Sequence, residues 1–225
     1  MRSRAIDAIV RVILDLRPSH PLRIAIDGRT SSGKTTLADE IATKTRDHGR
    51  NVIRTSIDGF HRPKAERYAR GRRSAEGYYY DARDLTAIKD LLLRPLGPQG
   101  DLLYRTASFD LELDRPIDAS LHKAEANDIL IVDGTFLQRP ELRAEWDLIV
   151  FIDAPEELAR AWGVDRDTER LGSPAEAQAI YRERYLPAYA IYETDCDPRT
   201  GAHIVFENAN FESAKAHIQR LPELG

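Results

Sequence analysis

The stretch that most narrows what this chain can fold into is GRTSSGKT, residues 28–35, set between an apolar run (Leu22 to Asp27) and an amphipathic pattern from Gly33 to about His48. A polyphosphate needs several donors converging on its oxygens with no side chain in the way. Gly28 and Gly33 permit that tight backbone path. The amides of Ser31, Ser32, Gly33, Lys34 and Thr35, with Thr36 in the same first turn, open a helix whose dipole favours anions. Lys34 supplies a mobile ammonium for β- and γ-phosphates, and the Thr35 hydroxyl suits Mg²⁺. A glycine-containing loop can match this pattern by chance, but a strand before it and a helix after it are the context its mechanism demands. The segment therefore predicts a nucleoside triphosphate site.

Further apolar runs at 51–58, 128–134, 147–153 and 202–208 alternate with helical patterns, which predicts an α/β fold of the P-loop NTPase kind. Its core is a doubly wound five-stranded parallel sheet flanked by helices. Ligands in such sheets sit beyond the carboxyl ends of the strands, where Asp27, Asp58, Asp133 and Asp153 fall. With 225 residues, 42% of them hydrophobic, residues 1–225 read as a single domain. Ile6, Ile9, Val10, Ile13 and Leu14 recur at helical spacing near the N-terminus. Asp7, Arg11 and Asp15 interrupt that stretch, so no signal-peptide core or membrane span is expected there.

Thirty-three Lys and Arg against thirty-seven Asp and Glu give a net charge of −4, which argues against a nucleic-acid or anionic-membrane surface; a small anion would need a local basic site. Cys196 is the only cysteine, so no intrachain disulfide forms and the cytoplasm is the default location. The histidines show no metal-ligand spacing.

Two stretches break the alternation, 59–83 and 94–120, the second with a possible hairpin around Leu102 to Phe109. Insertions after sheet strands are where acceptor pockets are commonly built. Asp133 closes the apolar run ILIVDG and is the candidate Walker B acid for Mg²⁺. Asp58 reaches the same edge, where a carboxylate can orient an alcohol and take its proton; spacing alone does not separate this role from metal ordering or turn capping.

Read in order, IAIDGRTSSGKTTLA, SIDGFHRP, GYYYDARD, YRTASFD, ILIVDGTFLQRPEL, WDLIVFID, RDTERLG and YRERYLPAYAIYE resemble the uridine kinase-like branch of the phosphoribulokinase/uridine kinase family, over about residues 20–210. The resemblance implies a P-loop kinase with ATP and Mg²⁺, a small-molecule alcohol as acceptor, and a homo-oligomer. It makes Asp58 the catalytic base, Asp133 the Walker B acid, and 156–172 a lid whose Arg166 and Arg170, with Arg160 a further candidate, join Lys34 at the transferring phosphoryl group. A solvated helix laced with salt bridges is the other reading of that stretch.

Departures from the family's nucleoside pattern put Tyr78 where an Asp binds ribose, His61 where a Tyr follows the base, and Phe109 near a His that touches the pyrimidine. The expected acceptor pocket draws on Phe60, His61, Tyr78, Tyr79, Tyr80, Tyr104, Arg105 and Phe109. A basic run from Arg62 to Arg73 could meet an acceptor's carboxylate or phosphate. A nucleoside is the first acceptor expected; pantothenate, glycerate, a sugar or a sugar phosphate are the alternatives. A different class, an NTP-dependent switch, would need an NKxD-type base-reading element if it used GTP, and the sequence has none.

Overall fold

Short runs rich in Ile, Val and Leu, apolar at consecutive positions rather than alternate ones, form strands buried on both faces. That is how β1 (Leu22–Gly28), β3 (Ile129–Gly134) and β4 (Leu148–Asp153) lie in the computed structural model, which describes residues 1–118 and 120–222. With β2 (Val52–Ser56), β5 (Ile204–Glu207) and β6 (Lys215–Ile218) they form one sheet in the order β6-β5-β4-β1-β3-β2. The five strands expected from sequence are mutually parallel. The sixth, β6, is antiparallel to β5 at the edge and carries Lys215 and His217, a polar pattern that hid it in the sequence.

Side chains alternate between two cores. Ile24 and Ile26 of β1 point to one face, where α1 (Arg2–Asp15) and α2 (Lys34–Asp47) deliver Ile9, Ile13, Leu37 and Ile41. Ala25 points to the other, with Leu130, Val132, Phe136, Trp146, Tyr189 and Tyr192. The remaining long helices are α3 (Glu156–Leu171), α4 (Pro174–Ile180) and α5 (Leu186–Cys196). Between α4 and α5 the chain makes one wide π-helical turn, Tyr181–Tyr185. Pro187, just beyond it, has no N–H to give a carbonyl one turn earlier, so the ladder widens there.

The expected hairpin at Leu102 to Phe109 is not what forms. Leu103–Tyr104 pairs with His122–Lys123, and Phe109–Asp110 pairs with Arg115–Pro116, so two short ladders nest around a later turn. Asp110 Oδ1 caps that turn, accepting from the amides of Glu112 at 3.0 Å and Leu113 at 2.9 Å. The 59–83 excursion returns on itself: His61 and Arg83 form a bridge, and the amide of Asp84 donates to the carbonyl of Phe60 at 2.8 Å.

Candidate active site

Strand order reverses on either side of β1, so the loop leaving it has no neighbour of its own above the sheet and opens into a crevice. Gly28 and Gly33 have positive φ, 150° and 93°, and Ser31 joins them at 62°. A Cβ on Gly33 would lie 2.9 Å from Asn208 Nδ2, which itself donates to the carbonyl of Ser32 at 2.8 Å. Asn208 is buried beneath the phosphate loop and braces it. Asp27 is sealed in the core below the same loop, accepting from the amide of Gly28 at 2.8 Å, from Gln138 Nε2 at 3.0 Å and from the Tyr192 hydroxyl. Burial outweighs those donors and holds its pKa above the usual carboxylate range.

The loop faces a cleft of about 600 Å³. Lys34 lies at its floor with its Nζ donating to the carbonyl of Arg29 at 2.6 Å. Burial pushes the ammonium down to about 8, against the pull of Asp27, Asp133 and Asp58. The Thr35 hydroxyl donates to Asp133 Oδ2 at 2.7 Å. Asp133 Oδ1 is buried without a hydrogen bond; Arg54 Nη1 is 2.8 Å away, in an ion pair too poorly angled to supply one. Two hard oxygens beside a phosphate cradle, one short of a partner, fit Mg²⁺, which usually takes one or two protein oxygens and completes its shell from phosphates and water.

Across the cleft, Asp58 lies in the short turn Ile57–Gly59 just past β2, its amide capped by Ser56 Oγ at 3.3 Å. Its side chain is 64% exposed and faces the crevice. Arg83 Nη2 donates to Asp58 Oδ1 at 2.6 Å and Arg83 Nη1 reaches His61 Nε2 at 2.5 Å. His61 Nδ1 is 2.8 Å from the carbonyl of Asp58. A guanidinium only donates, so Nε2 must be the unprotonated nitrogen and Nδ1 carries the hydrogen. Burial and the Arg83 charge push the imidazole down to about 4, which keeps His61 neutral. The cleft walls partly desolvate the Asp58 carboxyl, which would raise it, but the charges of Arg83 and Lys34 outweigh this and hold it below its ordinary value.

The expected lid is α3, ending at Gly172 with φ 89°. Arg166 and Arg170 line the cleft and are 60% and 63% exposed; both pair with Asp167, at 2.9 and 3.4 Å. Burial would raise the Asp167 carboxyl, and the two arginines hold it down instead. The Tyr181 hydroxyl connects Asp167 at 3.3 Å to Ser31 Oγ at 2.8 Å, so the lid base touches the phosphate loop. Arg160 faces a separate surface groove with Glu157 and Gln178.

Of the acceptor residues expected from sequence, His61 and Tyr78 line the cleft. Phe60 and Tyr79 are core side chains, and Phe109 is buried outside the cleft lining. Tyr80 is exposed and stacks edge-on against Tyr79. Tyr104 lies against the ring of His122, and Arg105 reaches Asp118 at 3.6 Å, both off the cleft lining. Apolar rings and insertions look alike in sequence whichever way they point. The structure adds residues that the sequence reading missed: Arg83, Asp167, Arg184 and Tyr185, with Tyr68 from the basic run. Only Asp167 left a signal, an acid adjacent to Arg166 and three residues before Arg170.

Residues 23–215 match the Phosphoribulokinase / Uridine kinase family. The chain belongs to this family. It is 25% identical to a chloroplastic uridine/cytidine kinase of Arabidopsis thaliana over 69% of its own length and 31% of that protein's, so it spans about a third of that relative. It is also 25% identical to a pantothenate kinase of Shewanella sediminis, over 90% of this chain and 66% of that one. Among solved structures, a possible uridine kinase from Bacillus stearothermophilus superposes with a TM-score of 0.71 at 26% identity, covering 91% of this chain and 99% of the other. The expected P-loop kinase fold and family membership are thus borne out. Among the described residues no helix is long and apolar enough to cross a membrane.

Proposed function

We propose that this family member is an ATP-dependent kinase that transfers the γ-phosphoryl group to a hydroxyl of a small molecule, with Mg²⁺ bound alongside ATP. The observation that carries this reading is that one cleft holds the phosphate loop and, facing it, a carboxylate kept ionised by Arg83. Thr35 and Asp133 would hold the metal, whose chemistry is to neutralise charge on the phosphates. Lys34, Arg166 and Arg170 would meet the oxygens of the transferring group and offset the charge that develops on them. The acceptor oxygen bonds to the γ-phosphorus, the bond to the β–γ bridging oxygen breaks, and ADP leaves with that electron pair. The hydroxyl proton passes to Asp58.

A carboxylate held below its ordinary value is a weak base, which suits a loose transition state in which the alcohol loses its proton late and positioning matters most. His61 does not titrate near neutrality; its neutral ring fixes Arg83, and Arg83 fixes Asp58. Tyr78 and Tyr185, rings 5.0 Å apart, offer a wall for a flat group, which with the uridine/cytidine kinase relatives makes a nucleoside the first acceptor to test. A second reading, an acceptor such as pantothenate, glycerate or a sugar phosphate, is favoured by the arginines at the same end of the cleft and by the Shewanella relative's fuller coverage of this chain. The single thiol, Cys196, is buried, in keeping with a cytoplasmic enzyme. The test is ADP release from ATP across these acceptors, with the phosphorylated product identified by mass spectrometry. Turnover that depends on a small acceptor is expected; hydrolysis stimulated only by a protein would replace this reading with a switch.

A further inference from the structure

Seven cationic side chains and three carboxylates line the cleft of a chain whose net charge is −4. ATP and its metal account for the floor and lid, where Lys34, Arg166 and Arg170 lie, and Arg83 is taken by Asp58. Arg184 is left over. It is 8% exposed, lines the cleft, and among the described residues has no carboxylate partner; its Nε is buried without a hydrogen bond, and the polar group beside the guanidinium is the neutral phenol of Tyr68. A buried guanidinium without an anion is costly, and such groups are ordinarily paired.

Three aromatic rings surround Arg184 without supplying a negative charge: those of Tyr78, Tyr68 and Tyr185, at 4.7, 5.2 and 5.8 Å. The Tyr78 ring is also 5.8 Å from Arg83, so one ring lies against both Arg184 and the arginine that grips Asp58. This position lies on the acceptor side, one aromatic ring beyond the reacting carboxylate, walled by the 59–83 insertion rather than by the phosphate loop. Arg67 also lies 5.2 Å from the Tyr68 ring, and Arg72 is exposed at the rim without an ion pair among the described residues. Although burial acts to raise it, the Tyr68 phenol is held below its ordinary value by hydrogen bonds and charge from Arg67 and Arg184; Arg67 has Asp114 as its counter-charge at 2.9 Å, and Arg184 has none among the described residues.

We propose that Arg184, assisted by Arg72, binds a carboxylate or phosphate on the acceptor, so that the preferred substrate is an alcohol that already carries an anionic group. This rests on the kinase reading of the same cleft. A neutral nucleoside would leave Arg184 buried and unpaired, whereas a planar guanidinium meets either anion through paired donors.

The test uses acceptor pairs that differ in one group: pantothenate against pantothenol and glycerate against glycerol for a carboxylate, ribulose 5-phosphate against ribulose for a phosphate, with uridine alongside. In at least one pair the charged member is expected to have a kcat/KM about 100-fold or more above its neutral partner, as for a site built around a lost polar contact. Arg184→Gln should collapse that ratio chiefly through acceptor KM, Arg184→Lys should restore part of it, and the exposed Arg72→Gln, which cannot unfold the core, should lower it several-fold.

The proposal falls if uridine or a neutral member is the best acceptor, if the ratio survives both glutamine variants, or if Arg184→Gln raises the KM for ATP and lowers turnover equally with every acceptor. If no acceptor is phosphorylated, thermal shift decides between the two readings. Stabilisation of the wild type by a charged member, absent in Arg184→Gln, keeps the anion site and removes the kinase assignment. No stabilisation by any of them removes both.

Discussion

The two halves of the cleft are built in opposite ways. The proposed donor half is a single continuous segment, 28–36, whose backbone amides are the proposed phosphate donors and whose neighbours Asp27 and Asn208 brace it from below. The acceptor half is assembled from side chains at 58–61, 67–83 and 184–185, three stretches joined only by the fold. Backbone amides give the donor half a fixed shape that any triphosphate fits. Side chains give the acceptor half a selectivity that turns on single substitutions.

The sharpest way to break this comparison is Asp58→Asn, which leaves the donor half intact. A fall in kcat of about 10²- to 10⁴-fold with little change in the KM for ATP is expected, the range for loss of a positioned acid or base. Equal loss in both parameters would place Asp58 on the donor side. Next in size is the response of the donor half to pH. Lys34 in the free protein is pushed down to about 8, and phosphates favour its charged form. Above pH 8 binding must therefore take up a proton, and ATP affinity measured by calorimetry should fall by up to about tenfold per pH unit, with heats that depend on the buffer. Affinity that holds steady to pH 9.5 would mean that Lys34 stays charged without its nucleotide.

On the acceptor side, Arg83 is what keeps Asp58 ionised, so Arg83→Gln should raise the Asp58 pKa and move the acid limb of the kcat/KM profile to higher pH. In the wild type both Asp58 and His61 titrate low, and the profile should be flat from about pH 5 to 7 with no histidine inflection near 6.5. A limb that does not move in Arg83→Gln would assign the proton to another group. The smallest expected effect is at the join between the halves. Gly163 of α3 leaves a notch for Tyr181, and a Cβ there would lie 1.9 Å from the Tyr181 hydroxyl oxygen. Gly163→Ala should force Tyr181 from Ser31 and cost about 1–3 kcal/mol in denaturant unfolding, as overpacking does. An unchanged midpoint would mean that the lid base repacks freely.

How much of this could be read from the chain follows the same division. The phosphate loop, the Asp133 strand end and the Asp58 position were legible because each is a local pattern: glycines at turns, an apolar run, an acid at its end. The lid arginines were legible by their resemblance to a family, and the acid that gathers them, Asp167, stood beside them unread. Tyr78 was picked out from GYYYD and Tyr80 with it, yet a π-helical turn at Gly77–Asp81 sends Tyr78 to the cleft, Tyr79 to the core and Tyr80 to solvent. Consecutive identical residues hold no information on which way each one faces.

The sequence alone therefore determined the class of fold and the donor end of the site, since backbone conformation and strand burial depend on residues close together in the chain. Tertiary structure decided the acceptor end. Arg83 acts on Asp58 across 25 positions, and Arg184 meets Tyr68 and Tyr78 across more than a hundred, contacts that exist only once the 59–83 insertion folds back and the turn at Tyr181–Tyr185 widens. An unpaired buried charge is a property of surroundings, and no pattern of letters shows what surrounds a residue.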